Sequence, residues 1–434
     1  MTPQQFSLDL DHPPEHFEAL HREAHGTVLV WEALRPGKRW VKLAPNDPAI
    51  PEFLAGLKGK PDTYVSVNEF DGWRLVRLLR SLRAVYVDLD GTTDLDLALD
   101  TLLESRMPAP SLTVFSGRGL HLYWLIQPMP PKTLPVWQRI TDSLNQALAP
   151  IGADPKARDC TRVLRLVGTV NSLNNAVVRG LIITGYRWTL HELANEVLGQ
   201  RKPRKAPGKA KIRDIHAQAA KRAQRAPQAV SGSIYERWYK VYQDLLAIAR
   251  HHDGQIPEGY RDSWLFLSGV ALSWFSRAES LRDEIENAAQ TFTPGLTDRE
   301  IKAVAKTIQQ RAEAAAAGKT IEWQGQEVDP RYRFRRATLH KWLQPLIPET
   351  LYPELRAILP DRIARERKLL RDQDRARKVY WQDRESSYTG KGVRKDNEQR
   401  RAMALLMRAG GASYRQISEE LGVSIRTAYR WCHD

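Results

Sequence analysis

Residues 84–106 read AVYVDLDGTTDLDLALDTLLESR and hold the tripeptide Asp-Leu-Asp twice. The first copy closes an apolar, β-branched run from Ala84 to Leu89, the mark of a buried strand. Side chains alternate faces along a strand, so Asp88 and Asp90 share one face while Val85, Val87 and Leu89 take the other. Two neighbouring carboxylates repel each other and lose hydration, which raises a pKa unless positive charge sits between them. A hard divalent cation meets that need. Two solvated carboxylates at a strand end is the other reading of the same residues. The second copy differs: Gly91-Thr92-Thr93 is turn chemistry, and Leu95, Leu97, Ala98, Leu102 and Leu103 then recur at helical spacing. Asp94 is expected to cap that helix, with Asp96 in its first turn near the positive end of the dipole.

The segments around this unit alternate in the same way. GTVLVWEAL and TYVSVNEF read as strands, and RLVRLLRSLR as a basic amphipathic stretch. SLTVFSGRGLHLYWLIQ reads as a hairpin, LPVWQRITDSLNQALAPIG as a helix, and RVLRLVGTVNS as a short strand or turn. VVRGLIITGYRWTLHELANEVLG closes the unit with a strand and a helix. The pattern predicts an α+β domain over residues 1–200, its strands paired in one sheet. Residues 201–231, dominated by Lys, Arg, Ala and Pro, predict a basic linker. Residues 232–320 carry apolar residues at three- and four-residue steps, as in a helical bundle. Residues 321–395 read as a charged helical connector.

Residues 396–434 have the form of a helix-turn-helix. A first helix ends at Gly410-Gly411, a second runs from Tyr414 to Glu420, and Ser424 caps a third that reaches Trp431. Ile417, Leu421, Val423 and Ala428 form its expected core, leaving Arg426, Thr427, Tyr429 and Arg430 for DNA.

The 434-residue chain has a formal net charge of +15, which favours a polyanionic partner. No apolar run is long enough to span a bilayer and the N-terminus has no signal-peptide pattern, so a soluble cytoplasmic protein without a membrane partner is expected. Two cysteines, Cys160 and Cys432, exclude a disulfide framework and a four-cysteine zinc site. Most of the 13 tryptophans are expected in packing, with some available to stack on bases. No phosphate-binding loop of the ATPase or helicase type is present, so no ATPase or helicase motor is expected in this chain.

Two further segments add chemistry to Asp88-Leu89-Asp90. SGRGLHLYW, residues 116–124, offers the Ser116 hydroxyl, the Arg118 guanidinium, the His121 imidazole and backbone amides at a Gly-rich turn, a cradle for phosphates. ADPKARDCTRVLRLVGTVN, residues 153–171, adds Asp154 and two arginines, Arg162 and Arg165. Three carboxylates with phosphate donors and no zinc ligands suggest two-metal nucleotidyl transfer.

The ordered set D-x-D, S-G-x-G-x-H and D…R-x-x-R…G-T-x-N resembles the three motifs of the archaeo-eukaryotic primase superfamily, most closely its RepB-like and primase-polymerase branches from plasmids and phages. Residues 258–308 are similar to the helical domain that follows the catalytic core in these primases. The resemblance implies an RRM-like catalytic core and a metal site of Asp88, Asp90 and Asp154 holding two Mg²⁺ or Mn²⁺ ions, with Asp159 the alternative to Asp154. It implies nucleotide contacts from Ser116, His121 and Arg165, with Arg118 and Arg162 beside them. The implied partners are single-stranded DNA template, nucleoside triphosphates and duplex origin DNA, the last through the C-terminal segment. Two positions depart from the family pattern: Val167 stands where Pro is frequent, and Ser172 follows Asn171 where Lys is frequent. Two other readings stay open: a DNA-binding initiator without catalysis, and a repair polymerase.

Overall fold

The computed structural model describes residues 8–33, 37–199, 233–323, 325–388 and 391–433; the expected basic linker, residues 201–231, lies outside the described residues. The chain divides into two compact units, Met1–Leu359 and Pro360–Asp434.

In the first unit the strands are β1 (Leu8–Leu10), β2 (Val28–Glu32), β3 (Arg39–Leu43), β4 (Thr63–Ser66), β5 (Glu69–Phe70), β6 (Leu79–Asp90), β7 (Leu112–Phe115), β8 (Gly119–Met129), β9 (Val163–Arg165), β10 (Val170–Asn171), β11 (Ala176–Val177) and β12 (Arg179–Ile182). They do not pair as one sheet. A six-stranded sheet runs β1-β12-β7-β8-β6-β5 and a four-stranded sheet runs β3-β2-β4-β9, with β10 and β11 as a separate ribbon. The two sheets touch at a bridge just ahead of β2, where the Thr27 N–H donates to the Phe70 carbonyl at 2.7 Å. The stretch read as basic and amphipathic is a short 3₁₀ turn, Val76–Leu78, followed by the start of β6. Arg83 faces inward there, and part of the cost of its burial is offset by Glu69, 3.5 Å away, and by the Leu20 and Arg22 carbonyls, which accept its N–H groups.

The centre of the core is the β6–β8 pair, where Val85, Val87, Leu89, Leu120, Leu122 and Trp124 are fully buried. The helix Leu134–Leu148 packs on this sheet, and its Trp137 indole donates to the Ala84 carbonyl at 2.8 Å. After the turn at Gly91, the helix Leu95–Glu104 is capped by Asp94, whose carboxylate accepts the Leu97 N–H at 2.9 Å. The second Asp-Leu-Asp is therefore helix punctuation.

Four helices follow, Ile234–His251, Arg261–Leu272, Ala278–Phe292 and Asp298–Ala316, around buried Trp238 and Trp264. A seam of polar contacts joins them to the sheet region. The Val76 N–H donates to Glu284 at 2.7 Å, the Arg77 guanidinium to Asn287 at 2.8 Å, and the Tyr235 hydroxyl to Asp142. Burial lifts the Glu284 carboxyl to about 8, against the opposing pull of the Val76 N–H and of Arg77 and Arg74. The segment read as a charged connector begins with a β-hairpin, Ile321–Trp323 with Gln326–Val328, which its Gly325 turn at φ 74° permits.

The second unit ends in three helices, Lys391–Ala409, Tyr414–Leu421 and Ile425–His433. Ala404, Ile417 and Ala428 form its buried centre, with Leu421, Val423 and Trp431 packed against them. Gly422 takes the left-handed C-cap position at φ 60°, and the Ser424 hydroxyl accepts the Thr427 N–H at 3.1 Å. This is a helix-turn-helix. Among the described residues no helix is long and apolar enough to cross a membrane.

Candidate active site

The site lies in a cleft of about 600 Å³ between the two sheets. The six-stranded sheet supplies Asp88, Asp90, Ser116, Arg118 and His121; the four-stranded sheet supplies Trp31, Tyr64 and Arg165. Strand register explains the first group. Asp88 stands opposite His121 and Asp90 opposite Gly119 on the β6–β8 pair, so both acids share a face with the imidazole. His121 Nε2 lies 3.5 Å from Asp88 Oδ1. Burial, then the charges of Arg165 and Arg162, push His121 down to about 3, so it is a neutral imidazole at pH 7. Its Nδ1 has no partner among the described residues.

Burial raises Asp88 to about 6; Arg162 works against the rise and Asp154 adds to it. Asp90 is also raised, by burial and then by Asp88 and Asp154. The three carboxylates thus act on one another. Asp154 reaches the site because its N–H donates to the Asp88 carbonyl at 2.8 Å, a bond between the β9 approach and β6. Asp159 is committed elsewhere: the Thr161 N–H and hydroxyl donate to it at 3.0 and 2.7 Å.

The donors are hard oxygens, which suits Mg²⁺ or Mn²⁺, and a cation between them would relieve the repulsion. Among the described residues, however, no three His, Cys, Asp or Glu side chains are gathered closely enough to form a metal-binding group. Arg162 accounts for part of that spacing. Its guanidinium is buried among carboxylates, 3.5 Å from Asp154 and 3.7 Å from Asp159.

The two arginines of the R-x-x-R pair differ. Arg162 is held in the acidic cluster, whereas Arg165 donates to Asp62 at 2.8 Å and lies 4.9 Å over the Tyr64 ring. Asp62 also accepts from the Ser172 hydroxyl. Ser172, one of the departures from the family pattern, therefore helps to fix an arginine of the cleft. The Asp62 carboxyl stays below the usual range, because the Ser172 and Arg165 hydrogen bonds outweigh its burial.

The Gly-rich turn is tied down from the same quarter. Asn171 donates to the Ser116 carbonyl at 2.9 Å and Asn174 to the Gly117 carbonyl at 2.6 Å. The Ser116 hydroxyl turns back to the Gly119 carbonyl at 3.0 Å. Gly119 is required by close approach: a Cβ there would fall 2.0 Å from the Leu89 carbonyl oxygen. Arg118 is exposed at the rim.

Asn171 and Ser172 belong to or adjoin the G-T-x-N motif, whereas Asp62 and Arg277 carry no sequence signal. Asp62 and Ser172 hold Arg165, and Asn171 holds the turn. Arg277 enters from the helical region, lines the cleft, and places its Nε 3.9 Å from Asp159. Nothing in its local sequence, SWFSRAES, marks it as a cleft residue. In the C-terminal unit Arg426, Tyr429 and Arg430 are exposed, whereas the Thr427 hydroxyl is engaged with Ser424 at 2.8 Å.

Comparison with known proteins adds the following. The model of the homeodomain-like domain matches residues 395–434. A protein named "Replication protein" from Clostridium perfringens is 28% identical over 249 residues, which cover 55% of this chain and 57% of the relative. The chain thus matches a little over half the length of that protein. Among solved structures, the primase-polymerase domain of cyanophage S-2L aligns with a TM-score of 0.34 at 19% identity, over 43% of this chain and 96% of that one. The catalytic domain of the primase RepB′, in complex with initiator DNA, aligns with a TM-score of 0.30 at 16% identity, over 49% of this chain and 97% of that one. The match to the homeodomain-like model falls on the three-helix segment that closes the second unit.

Proposed function

We propose that this chain is a DNA-dependent primase or primase-polymerase of a plasmid, phage or mobile element, a nucleotidyltransferase that starts replication by making primers on single-stranded DNA. The observation that carries the reading is the convergence of Asp88, Asp90, His121 and Arg165 on one cleft from three strands. Asp88, Asp90 and Asp154 would hold Mg²⁺ or Mn²⁺, which would stabilise charge on the reacting phosphate. Arg165, locked by Asp62, would meet the triphosphate of the incoming nucleotide, with Arg118 at the rim and Arg277 from the helical side. Neutral His121 would donate one N–H to a phosphate oxygen. Arg162 would balance the acidic cluster, and Ser116 would shape the turn more than contact the ligand, since its hydroxyl is used within the turn. The helix-turn-helix would bring the enzyme to duplex origin DNA through Arg426, Tyr429 and Arg430. A separate helicase would open the duplex.

A DNA-binding initiator without catalysis is favoured by one observation: Arg162 already lies 3.5 Å from Asp154, one of the carboxylates that a metal would otherwise bridge. The experiment that separates the two is de novo synthesis on single-stranded DNA with Mg²⁺ or Mn²⁺ and labelled nucleotides. Wild type is expected to make short products and the double variant Asp88→Ala/Asp90→Ala none. No product from wild type on several templates, with and without an annealed primer, would transfer the weight to the initiator.

A further inference from the structure

We propose that the open face of the four-stranded sheet is a stacking track for the bases of a single-stranded DNA template, running from Arg165 along Tyr64, Trp31 and Trp40 to Trp73. The proposal rests on the reading of the cleft as a template-directed site and assigns it a second wall.

Register builds the row. Trp31 stands opposite Trp40 on one side and Tyr64 on the other, and Tyr64 stands opposite Arg165. Four adjacent strands each give one side chain, all on one face. Trp31 stacks on Trp40 at 5.6 Å between centroids and 16° between planes, and on Tyr64 at 4.8 Å and 26°. Trp73 meets Trp40 edge-on at 5.1 Å. Near-parallel rings at such separations are offset, so part of each face stays uncovered.

All four side chains are partly buried rather than enclosed. The opposite face of the same sheet shows what packing alone would look like: Val28, Val30 and Val65 are completely buried there. Cations flank the row. The Arg74 guanidinium lies 4.7 Å over Trp40, Lys42 Nζ 5.8 Å over Trp73 and Lys38 Nζ 6.0 Å over Trp31. The neighbouring acids are spent: Glu32 is buried and paired with Arg39 and Lys60, and Asp62 is bonded to Arg165.

A row of partly accessible aromatic rings bordered by cations fits a ligand that alternates flat rings with negative charge. A duplex keeps its base faces stacked inside, so the complementary occupant is a single strand. The row begins at Arg165, in the cleft that holds Asp88 and His121, so a strand lying on it would lead its bases to those residues.

The test is an anisotropy titration of the full chain, without nucleotide or metal, using a labelled oligo-dT and an abasic strand of equal length. Trp40→Ala and Trp31→Ala are expected to weaken oligo-dT binding by roughly 5- to 150-fold, the equivalent of losing about one stacked base, while the affinity for the abasic strand holds. Trp40→Phe should retain most of the affinity. Trp323→Ala, which removes an exposed tryptophan of the distant hairpin, should retain all of it. A Trp40→Ala protein that melts like wild type and binds oligo-dT as wild type overturns the proposal. So does a variant that weakens both strands equally, because the row would then act only through charge. The readout needs no synthesis. Base-selective binding lost in Trp40→Ala by a chain that makes no primers would sink the primase reading and leave the track standing; primer synthesis with unaltered binding in Trp40→Ala would do the reverse.

Discussion

The two walls of the cleft handle charge in opposite ways. On the six-stranded sheet, Asp88 is crowded against its own kind and lifted to about 6, mainly by burial. On the four-stranded sheet, Arg165 is matched at 2.8 Å by Asp62 and rests on an aromatic ring. The first wall stores unfavourable charge that a cation would relieve, while the second is already satisfied and presents a surface. Residues on the first wall should therefore trade stability for function, and residues on the second should trade function alone.

The sharpest way to break this contrast is Asp88→Asn. Removing a carboxylate that burial disfavours should leave the melting temperature at pH 7 unchanged or higher, while synthesis falls by about 10²-fold or more, as when one electrostatic stabiliser is taken from a reacting site. A variant that melts lower than wild type would show that the carboxylate is structural. Gly119→Ala comes next, because the added methyl must displace the Leu89 carbonyl of the paired strand. A loss of about 1–3 kcal/mol in urea unfolding is expected, as for overpacked cores.

Glu284, at the seam between sheet and helices, gives a pH signature. Its folded carboxyl holds a proton up to about 8, against an ordinary value of 4.5. Folding therefore takes up a proton between those limits, and this group's contribution makes stability fall as pH rises from 4.5 to 8. Glu284→Gln keeps an acceptor for the Val76 N–H and removes the charge. Its gain in melting temperature should be greatest above pH 8 and vanish near pH 4. A gain independent of pH would contradict the assignment. A smaller effect is expected from Asn171→Ala, which frees the Ser116 carbonyl and the Leu173 N–H and costs about 1–2 kcal/mol, a typical net value for two hydrogen bonds. A larger fall in nucleotide affinity than in stability would identify Asn171 as a positioning residue.

The difference between the walls also governs what could be read in advance. Asp88, Asp90 and His121 lie on one strand pair, with Ser116 in the turn that leads into β8, so period-two alternation gives the shared face of the two acids and the family resemblance joins them to the Gly-rich turn. Asp94 as a cap and the core of the helix-turn-helix were legible for the same reason, since local spacing defines both. Trp31, Trp40, Tyr64 and Arg165 become neighbours only through the register of four strands, one of them more than a hundred residues from the rest. No local pattern encodes that register, nor the division into two sheets. Asp62 and Arg277 were hidden likewise, one in a turn at φ 41° and the other at a helix start in the following region. For Asp154, which the family resemblance implies, the N–H bond to the Asp88 carbonyl supplies a physical reason for its nearness to Asp88.

The account holds that one wall does chemistry and the other holds template. The direct test is primer extension with Mn²⁺, measured against template concentration for wild type, Asp88→Asn and Trp40→Ala side by side. The prediction is that Asp88→Asn loses turnover with template half-saturation little changed, whereas Trp40→Ala raises half-saturation far more than it lowers turnover. Normal turnover in Asp88→Asn, or the same parameter lost in both variants, would contradict it.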